Sequence, residues 1–507
     1  VQTIVRLITD KVRSKLETVR AIWMWLCHNI QYDVDGFLGL SPKIHTPEQV
    51  LQTRRGVCSG YAHLCREMCR EAGLSCIEVS GHGRGTGYQQ GLDCQQKKPN
   101  HMWNAVQLEG QWHLLDACWG AGIVDEEKRL FIPRHDDFFF LTDPEHFIET
   151  HWPEEPQGQL VQPRVSLEDF EQSVFKTSEF FKLQLSLLSP NRSLLRTGKC
   201  RARTAVCSYR LYKLCSDGSK EELGMACGML MVSEKRMTLQ VLPPTEGFFE
   251  LMVFARPSDA QNPYSWVCSY QIKCLESSKK DLNELFPSGL SMHCGTGIST
   301  RWRGFSNPSH PAPIIHTNQG KCNITFHTRS DTEVAAVLSK DKVTHTKYPL
   351  ERYVLLTHLA NKVSVCILLP ESGLYKVGLF RQSLFNRSED HKDFAHVCDY
   401  VVRCFSEPRW LPFPRVYSTW RRGCILLQPR TGVLQERSWI RFRVKMPKAY
   451  RAFVVGQART ELQPTPSKIW EGEVYTGFAG TELKLAAKFC PHATSMEVIL
   501  SFDVEGS

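Results

Sequence analysis

The chain of 507 residues is too long for a single hydrophobic core, and at about 150 residues per domain we expect roughly three or four modules. Its hydrophobic content of 42% is that of a globular protein, and no apolar run has the length of a membrane span. The net charge of +9 is small for this length and no RNA- or DNA-binding motif accompanies it, which disfavours nucleic acid as a partner.

The twenty cysteines are scattered and include no C-x-x-C pair, so the sequence does not indicate a structural zinc site. Several lie in apolar segments, among them Cys27, Cys65, Cys69 and Cys366. A free thiol packs there as a small hydrophobe, which favours a reducing, cytoplasmic compartment. The sequence begins at Val1 rather than at Met, which favours a fragment whose upstream signals are not visible.

The first predicted element is an amphipathic helix at residues 12–30, whose apolar residues are spaced by threes and fours. We interpret Trp23 and Trp25 in this helix as packing anchors. One of them, or Gln31 or Tyr32 just after the helix, is the candidate for lining a cleft.

A second, shorter helix is predicted from Pro47 into Arg54. Residues 46–49 have the pattern of a capping box with Pro in the first helical position. This helix leads the chain to Cys58. Arg54 and Arg55 are close enough in sequence to add positive potential there, although an arginine beside a helix end is usually a surface residue.

The third predicted helix begins at Cys58 and ends at Gly73, which supplies a left-handed stop. In the first turn, unpaired N–H groups and the helix dipole favour a thiolate, and the same N–H groups would form part of an oxyanion hole. We expect Gly56 to let the chain turn sharply and to leave room for a substrate backbone. Cys58 is therefore a candidate nucleophile, and an inert core thiol is the alternative.

The run GHGRGTGYQQG at Gly81–Gly91 has neither a helix nor a strand pattern and predicts a mobile loop. A phosphate-binding loop fits poorly because no G-K-[ST] and no helix start follow it. We expect a loop that gates substrate entry to a cleft at Cys58, with a plain connection as the alternative.

Residues 101–108 and 111–118 predict two antiparallel strands around a tight turn at Glu109–Gly110. If Leu108 faces Gln111, then Trp103 faces the position of residue 116. Diagonal neighbours on such a hairpin are within side-chain reach of each other, whereas a register slip of one residue would place them on opposite faces.

In this register His101 lies diagonally beside Asp116. A carboxylate that accepts a hydrogen bond from one ring nitrogen leaves the other nitrogen free to take a proton from Cys58. A His–Asp pair in a hairpin is also often purely structural. His63 and His113 are alternative bases by residue type, but His63 lies in the helix of Cys58 and His113 fits only an irregular hairpin.

The segments GVCSGYAHLCREMCREAGL and HMWNAVQLEGQWHLLDACWG together resemble the transglutaminase-like superfamily, in which a Cys at a helix start precedes H-x-W-x-x-V and, fifteen residues later, an Asp. This resemblance implies that Cys58 is the nucleophile, His101 the base and Asp116 the third triad member. Within the superfamily the sequence is similar to the kyphoscoliosis peptidase branch, cytoskeletal proteins of muscle in which such a core precedes a β-rich tail.

Beyond a Pro-rich stretch at residues 153–163, short alternating strands replace the helical periodicity. A weak repeat aligns EGFFELMVFAR, ESGLYKVGLFR and AGTELKLAAKF, each followed by a second strand, at a spacing typical of β-sandwich domains. We therefore predict an α+β papain-like, transglutaminase-like core followed by all-β immunoglobulin-like sandwich modules. The predicted domains are residues 1–160, 161–280, 281–407 and 408–507.

Two details of the repeat predict local structure. Tyr375, with Phe249 in the equivalent place, has the position of a ring packed at the corner of a late sandwich strand. The C-x5-C pairs that end at Cys274 and Cys404 are not expected to form disulfides, because six strand residues separate the two sulfurs by about 20 Å.

The pattern predicts attack of a thiolate on an amide carbonyl and an acyl-enzyme that is released by water or by an amine. The resemblance implies a cysteine peptidase without cofactor, located at the sarcomeric Z disc of the cytoskeleton and acting on cytoskeletal proteins such as filamin-type actin crosslinkers. Calcium-dependent crosslinking is disfavoured because no acidic loop has calcium-ligand spacing. A catalytically inactive scaffold that binds cytoskeletal partners is the remaining alternative.

Overall fold

The structure is a computed structural model. It describes the chain apart from residues 86–97, 126–127, 190–197, 202–204, 225–226, 233–236, 258–262, 275–285, 292–293, 330–331, 342–345, 384–393, 421–422, 493 and 507. The chain forms two compact units: unit 1 comprises Val1–Leu223 and Glu246–Leu275, and unit 2 comprises Gly224–Thr245 and Glu276–Ser507. Within the described ranges, no helix is long and apolar enough to cross a bilayer.

Unit 1 contains the α-helices of the described residues except Ile298–Trp302, which lies in unit 2. The predicted helix at residues 12–30 is confirmed with a later start, because Ser14 and Glu17 form a reciprocal capping box. The predicted capping box at residues 46–49 is also present. The helices of unit 1 are Gln2–Thr9, Lys15–Asn29, Val34–Phe37, Pro47–Thr53, Cys58–Glu71, Ala117–Ala121, Pro144–Phe147, Leu167–Gln172 and Ser178–Lys182.

A five-stranded antiparallel sheet, here called the central sheet, packs against the helix Cys58–Glu71. Its strands in spatial order are Phe140–Thr142, Gln111–Leu115, His101–Leu108, Cys76–Gly83 and His151–Pro153. Helices and sheet share a hydrophobic core that includes Trp23, Tyr61, Met68 and Trp103. This core fixes the helix of Cys58 against the strand of His101.

The predicted hairpin register is confirmed, since Leu108 is paired with Gln111. Both turn residues are left-handed, with φ of 47° at Glu109 and 80° at Gly110, as a two-residue turn of type I′ requires. Asp116 follows the second strand directly. The hairpin therefore delivers Asp116 to the end of the sheet where His101 begins.

The predicted loop at Gly81–Gly91 is wrong at its start, because the strand Cys76–Gly83 includes the first three of these residues. Residues 86–91 lie outside the described residues, and so does the expected gate. A Cβ at Gly81 would lie 2.2 Å from the carbonyl oxygen of Trp152. The glycines at the end of this strand are thus explained by close packing between strands, which hydrophobic periodicity does not register.

Unit 1 also contains a second five-stranded sheet, whose order is Phe175–Lys176, Ser265–Cys274, Gly247–Pro257, Ala205–Leu214 and Lys220–Leu223. The shorter strand pairs of unit 1 are Gln31–Tyr32 with Arg55–Gly56, Gly122–Asp125 with Leu130–Pro133, and Ser186–Ser189 with Gly198–Arg201. Unit 2 begins with the antiparallel strands Gly228–Val232 and Met237–Val241, and two four-stranded sheets follow. Their strands are Phe305–Ser306, Lys321–Thr328, Lys362–Leu368 and Val354–His358 in one, and Ile314–Thr317, Ala395–Cys404, Gly373–Ser383 and Thr332–Ser339 in the other.

The C-terminal part of unit 2 is a nine-stranded sheet. Eight strands follow the order Arg415–Val416, Glu497–Glu505, Glu482–Lys488, Arg451–Val455, Arg459–Pro464, Ile469–Tyr475, Trp439–Lys445 and Ile425–Gln428, and Val433–Gln435 pairs with Glu497–Glu505. One continuous hydrophobic core runs from Phe305 to Val504 through all these sheets of unit 2.

The sequence repeat corresponds to a repeated strand pair, since in each copy the first strand pairs antiparallel with the second and contains a register shift. The predicted corner is confirmed at Tyr375, whose hydroxyl donates to the carbonyl oxygen of Glu371 at 3.0 Å, while Phe249 is buried without a hydroxyl. The pairs that end at Cys274 and Cys404 are not joined by disulfides, in agreement with the prediction.

An α+β N-terminal part followed by all-β sheets confirms the predicted order of fold classes. The domain boundaries at residues 160, 280 and 407 stay predictions.

Candidate active site

Cys58 is the first residue of its helix, as predicted, and Val57 precedes it without a side-chain cap. The N–H groups of the first turn therefore face the thiol region without a competing side-chain acceptor. Backbone bonds hold this start, because Tyr32 pairs in parallel with Gly56 and the N–H of Val57 donates to Ile44 at 3.0 Å. The nucleophile candidate thus has a fixed position.

Gly56 acts differently from our expectation. It is absent from the glycines with positive φ, so the chain does not need its left-handed freedom here. A Cβ at Gly56 would instead lie 3.0 Å from a methyl group of Val50, and one at Gly60 would lie 2.9 Å from the carbonyl oxygen of Ile44. Both glycines let the segment 44–50 pack closely against the start of the helix.

The predicted contact of His101 with Asp116 is confirmed. Nε2 of His101 lies 2.7 Å from Oδ2 of Asp116, and both side chains are buried. The second ring nitrogen, Nδ1, remains for the thiol of Cys58, with which His101 also makes a side-chain hydrogen bond. The sequence therefore located three side chains that the fold brings together.

Electrostatics favour an ion pair of thiolate and imidazolium. Burial raises the pKa of Cys58, but the hydrogen bond and charge of His101, with a backbone hydrogen bond from Met102, lower it below the usual value. Burial also lowers the pKa of His101, yet the Asp116 carboxylate and Cys58 raise it to about 10. At neutral pH the proton accordingly rests on the imidazole.

Asp116 is held by four donors. Its Oδ1 caps the helix Ala117–Ala121 by accepting from the backbone N–H groups of Cys118 at 2.7 Å and Trp119 at 3.1 Å. Its Oδ2 accepts from His101 and His151. Although burial opposes it, His101 and His151 hold the pKa of Asp116 well below its usual range, so the carboxylate stays charged.

His151 is a site residue that sequence reasoning missed. Its Nε2 donates to Oδ2 of Asp116 at 3.1 Å, and its Nδ1 lies 2.9 Å from the hydroxyl of Thr150. Burial lowers its pKa to about 4, so it is neutral, donates through Nε2 and accepts from the Thr150 hydroxyl at Nδ1. It reaches the site because the strand His151–Pro153 pairs with the end of Cys76–Gly83, a neighbour relation that residue spacing does not reveal.

Aromatic rings enclose both imidazoles. The ring of His151 lies 4.1 Å from that of Phe147 and 4.3 Å from that of Trp119. The ring of His101 lies 4.9 Å from Trp119 and 5.9 Å from Trp103. Such an apolar shell strengthens the hydrogen bonds inside it.

The alternative bases take other partners. Nδ1 of His63 lies 2.9 Å from the carbonyl oxygen of His45 and its Nε2 lies 3.7 Å from Glu78. His113 is paired with Val106 on the hairpin, five positions from His101 at the end of the strand. Neither histidine contributes to the shifted pKa of Cys58.

Most of the other residues that the sequence placed near Cys58 also have their contacts outside the site. Arg55 lies 3.7 Å from Asp35, and Arg54 stacks over the ring of Trp25. Trp23 is fully buried in the core, as expected of a packing anchor. Tyr32 is the residue of this group that interacts electrostatically with the site. Burial, and then the charges of Cys118 and Cys58, raise its pKa.

His101, Asp116 and His151 offer ligand atoms that all lie within 4.8 Å of one another. Both imidazoles already point their Nε2 atoms at the carboxylate. The hydrogen bonds therefore account for this cluster without an ion, and the arrangement is that of a nucleophile, a base and an orienting acid.

Comparison with known proteins agrees with this geometry. Residues 2–117 match the transglutaminase-like superfamily, and residues 167–283 and 303–415 match the KY-like, immunoglobulin-like domain. The kyphoscoliosis peptidases of Mus musculus and Homo sapiens are each 33% identical to the chain over 470 residues, which cover 92% of this chain and 69% of the relative. Hillarin of Drosophila melanogaster is 26% identical over 424 residues, which cover 75% of this chain and 50% of Hillarin. The chain therefore belongs to the kyphoscoliosis peptidase family, with a transglutaminase-like N-terminal region and immunoglobulin-like β domains.

Proposed function

We propose that this protein is a cysteine peptidase that cleaves amide bonds through an acyl-enzyme at Cys58. The observation that carries the proposal is the continuous chain of contacts from the Cys58 thiol through His101 to Asp116. A peptidase needs a nucleophile that is ionised at neutral pH and an acid for the leaving amine. The pair of Cys58 and His101 supplies both.

In the proposed reaction, the thiolate of Cys58 attacks the carbonyl carbon of the substrate amide and forms a C–S bond. The negative charge moves to the carbonyl oxygen, and the N–H groups at the start of the helix stabilise it. His101 donates its proton to the amine as the C–N bond breaks, which leaves a thioester. His101 then takes a proton from water, the hydroxide attacks the thioester, and the acid product leaves with Cys58 as the thiolate.

Asp116 and His151 position the base in this scheme. Asp116 accepts the hydrogen bond from Nε2 of His101 and so directs Nδ1 towards Cys58. The neutral His151 holds the same carboxylate oxygen from the other side. The carboxylate thus cannot rotate without breaking hydrogen bonds with both imidazoles.

The test compares wild type, Cys58→Ala and Cys490→Ser in muscle extract, because Cys490 is an exposed thiol outside the site. New N-termini that require Cys58 and persist in Cys490→Ser support the peptidase. New isopeptide bonds with the same dependence indicate a transamidase instead. Neither product, with a folded wild type, would favour the inactive scaffold and overturn the proposal.

We further propose that the substrates are cytoskeletal proteins of muscle, with filamin-type actin crosslinkers as the first candidates at the Z disc. This choice is the one that the resemblance of the sequence to the kyphoscoliosis peptidase branch implies. In the Cys58→Ala variant the acyl-enzyme cannot form, so bound substrate should be retained. Purified filamin that is cleaved by wild type at defined bonds and retained by Cys58→Ala is the expected result, and an intact, unbound filamin would contradict it.

A further inference from the structure

Three cysteines outside the candidate active site lie together. Cys65 and Cys69 are one turn apart on the helix Cys58–Glu71, and Cys76 is the first residue of the strand Cys76–Gly83. Their three sulfur atoms all lie within 4.8 Å of one another. All three are free thiols, and none of them takes part in the proposed peptidase reaction.

This spacing fits metal coordination. A Zn–S bond of about 2.3 Å in tetrahedral geometry separates two bound sulfurs by about 3.8 Å. The three sulfurs lie within 4.8 Å of one another, which exceeds this separation by only about 1 Å. The side chains would therefore need only small changes in torsion angle to bind one ion.

We propose that Cys65, Cys69 and Cys76 bind one Zn²⁺ as three thiolates, with a solvent molecule as the fourth ligand. Cys65 and Cys69 are buried, whereas Cys76 is partly exposed and leaves a side open to water. Among the described residues, no carboxylate or imidazole joins the three sulfurs within the same distance. An ion with three protein ligands and one solvent ligand is a known arrangement for zinc.

The charge and proton balance of this step is simple. Three S–H bonds release their protons to solvent, three S–Zn bonds form, and no atom is oxidised or reduced. The complex of three thiolates with Zn²⁺ has a net charge of −1. The charge of Arg66 acts on Cys76 and offsets part of this charge.

The ion would act as a crosslink between a helix and a strand. It would join the middle of the Cys58 helix to the strand that pairs with the strand of His101. Side chains already join these elements, since Arg66 lies 3.1 Å from Glu78 and Asn104 donates to the carbonyl oxygens of Ala62 and Ile77, and the metal would add three coordinate bonds to these contacts. We therefore expect Zn²⁺ to raise the stability of unit 1, while the reaction itself needs no metal.

The sequence rule for zinc sites missed this cluster for a geometric reason. A C-x-x-C pair places two thiols on a tight turn, whereas Cys65 and Cys69 are four residues apart on one face of a helix. The third ligand comes from the next strand across a short connection. This relation becomes visible only when the helix and the strand are packed together.

The experiment uses the full chain with Cys58→Ala as background, so that the active-site thiol cannot contribute, and ¹¹³Cd²⁺ as the probe in the presence of a non-thiol reductant. We expect one equivalent of Cd²⁺, a sulfur-to-cadmium charge-transfer band, and a ¹¹³Cd chemical shift of a site with three sulfurs. A large excess of Zn²⁺ should compete with the Cd²⁺ for the same site. Because even changes behind the ligands weaken metal binding by about 10–100-fold, Cys76→Ser should weaken it by more than about 100-fold.

Cys27→Ser is the matched control, because Cys27 is a buried thiol of the same core and lies outside the cluster. It should keep the full charge-transfer band. An unchanged band in Cys76→Ser, or a wild-type ¹¹³Cd shift that indicates fewer than three sulfurs, would overturn the proposal. The ¹¹³Cd chemical shift is measured without a substitution in the cluster, so misfolding of Cys76→Ser would not obscure the result. Labelling of Cys58 tests the proposed peptidase and is a separate measurement from metal binding.

Discussion

At the scale of single residues, the candidate site places a protonated imidazole between a thiolate and a carboxylate. His101 lies between the Cys58 thiol and the Asp116 carboxylate, and both raise its affinity for the proton. The spacing of the hairpin predicted this contact because the register depends on a two-residue turn and on alternation. His151 could not be predicted in this way, since it arrives on the far edge strand of the central sheet.

The first prediction concerns the pH dependence of Cys58. Because the pKa of Cys58 is lowered, its thiolate should persist as the pH falls below 7, where an ordinary thiol with a pKa of about 8.5 is protonated. Iodoacetamide should therefore label Cys58 selectively near pH 6. As the pH rises through about 10, His101 loses its proton, so peptidase activity should fall while labelling continues.

The control for this profile is His101→Ala, which removes the stabilising imidazolium. Its Cys58 labelling should shift to higher pH. Mass spectrometry of labelled peptides, with the exposed Cys490 as internal standard, gives both profiles. Coincident profiles of Cys58 and Cys490 in wild type would contradict the ion pair.

The second prediction concerns Thr150, whose hydroxyl contacts Nδ1 of His151. In Thr150→Val this contact is lost with little change in volume, so His151 can adopt the other tautomer and withdraw its donor from Asp116. We expect about a tenfold loss in kcat with little change in KM, equivalent to about 1.4 kcal/mol. A matched Thr142→Val, on the edge strand of the central sheet, should keep kcat, and equal losses would indicate a general packing effect.

At the scale of elements, capping boxes, left-handed turn residues and alternation predicted the helices and the hairpin. These signals are local, so they appear in a few adjacent letters. The glycines at the end of the strand Cys76–Gly83 misled the prediction, because a residue without a side chain shows no alternation. Their reason lies in the neighbouring strands, which are distant in sequence.

The third prediction follows from Gly83. A Cβ at this position would lie 2.8 Å from the Cβ of His101, closer than real carbon contacts. Gly83→Ala should displace His101 and remove the labelling of Cys58 at pH 6. The overpacking should also lower the free energy of unfolding by about 1–3 kcal/mol.

Gly224→Ala is the matched control, because nothing lies within 4 Å of the added Cβ. Both variants are followed by urea titration and by labelling. If Gly83→Ala keeps the low-pH labelling of wild type, close packing of Gly83 does not position the imidazole.

At the scale of the whole molecule, each compact unit has its own core, and in unit 2 one core is shared by successive sheets. A buried arginine lies within this unit. Arg352 pairs with Asp503 and donates to the carbonyl oxygens of Phe413 and Gly432. It therefore links residues that are far apart in the sequence, which no local pattern predicted.

The fourth prediction concerns this arginine. Arg352→Met leaves buried carbonyl oxygens and a carboxylate without their cation. Such a loss lowers the free energy of unfolding by about 3–5 kcal/mol. We expect the transition of unit 2 in urea to move to lower concentration by the corresponding amount. Arg451→Met, which breaks an exposed pair with Glu461, should leave the transition almost unchanged. Equal effects of the two substitutions would contradict the structural role of Arg352.

The shared core of unit 2 has a mechanical consequence. A series of separately folded domains unfolds under tension one domain at a time, and each unfolding event gives a small force peak. Residues 305–504 instead bury their apolar side chains in one continuous hydrophobic core, and the buried Arg352 links distant parts of this segment. Stretching this segment should therefore give a single large force peak rather than a series of small ones.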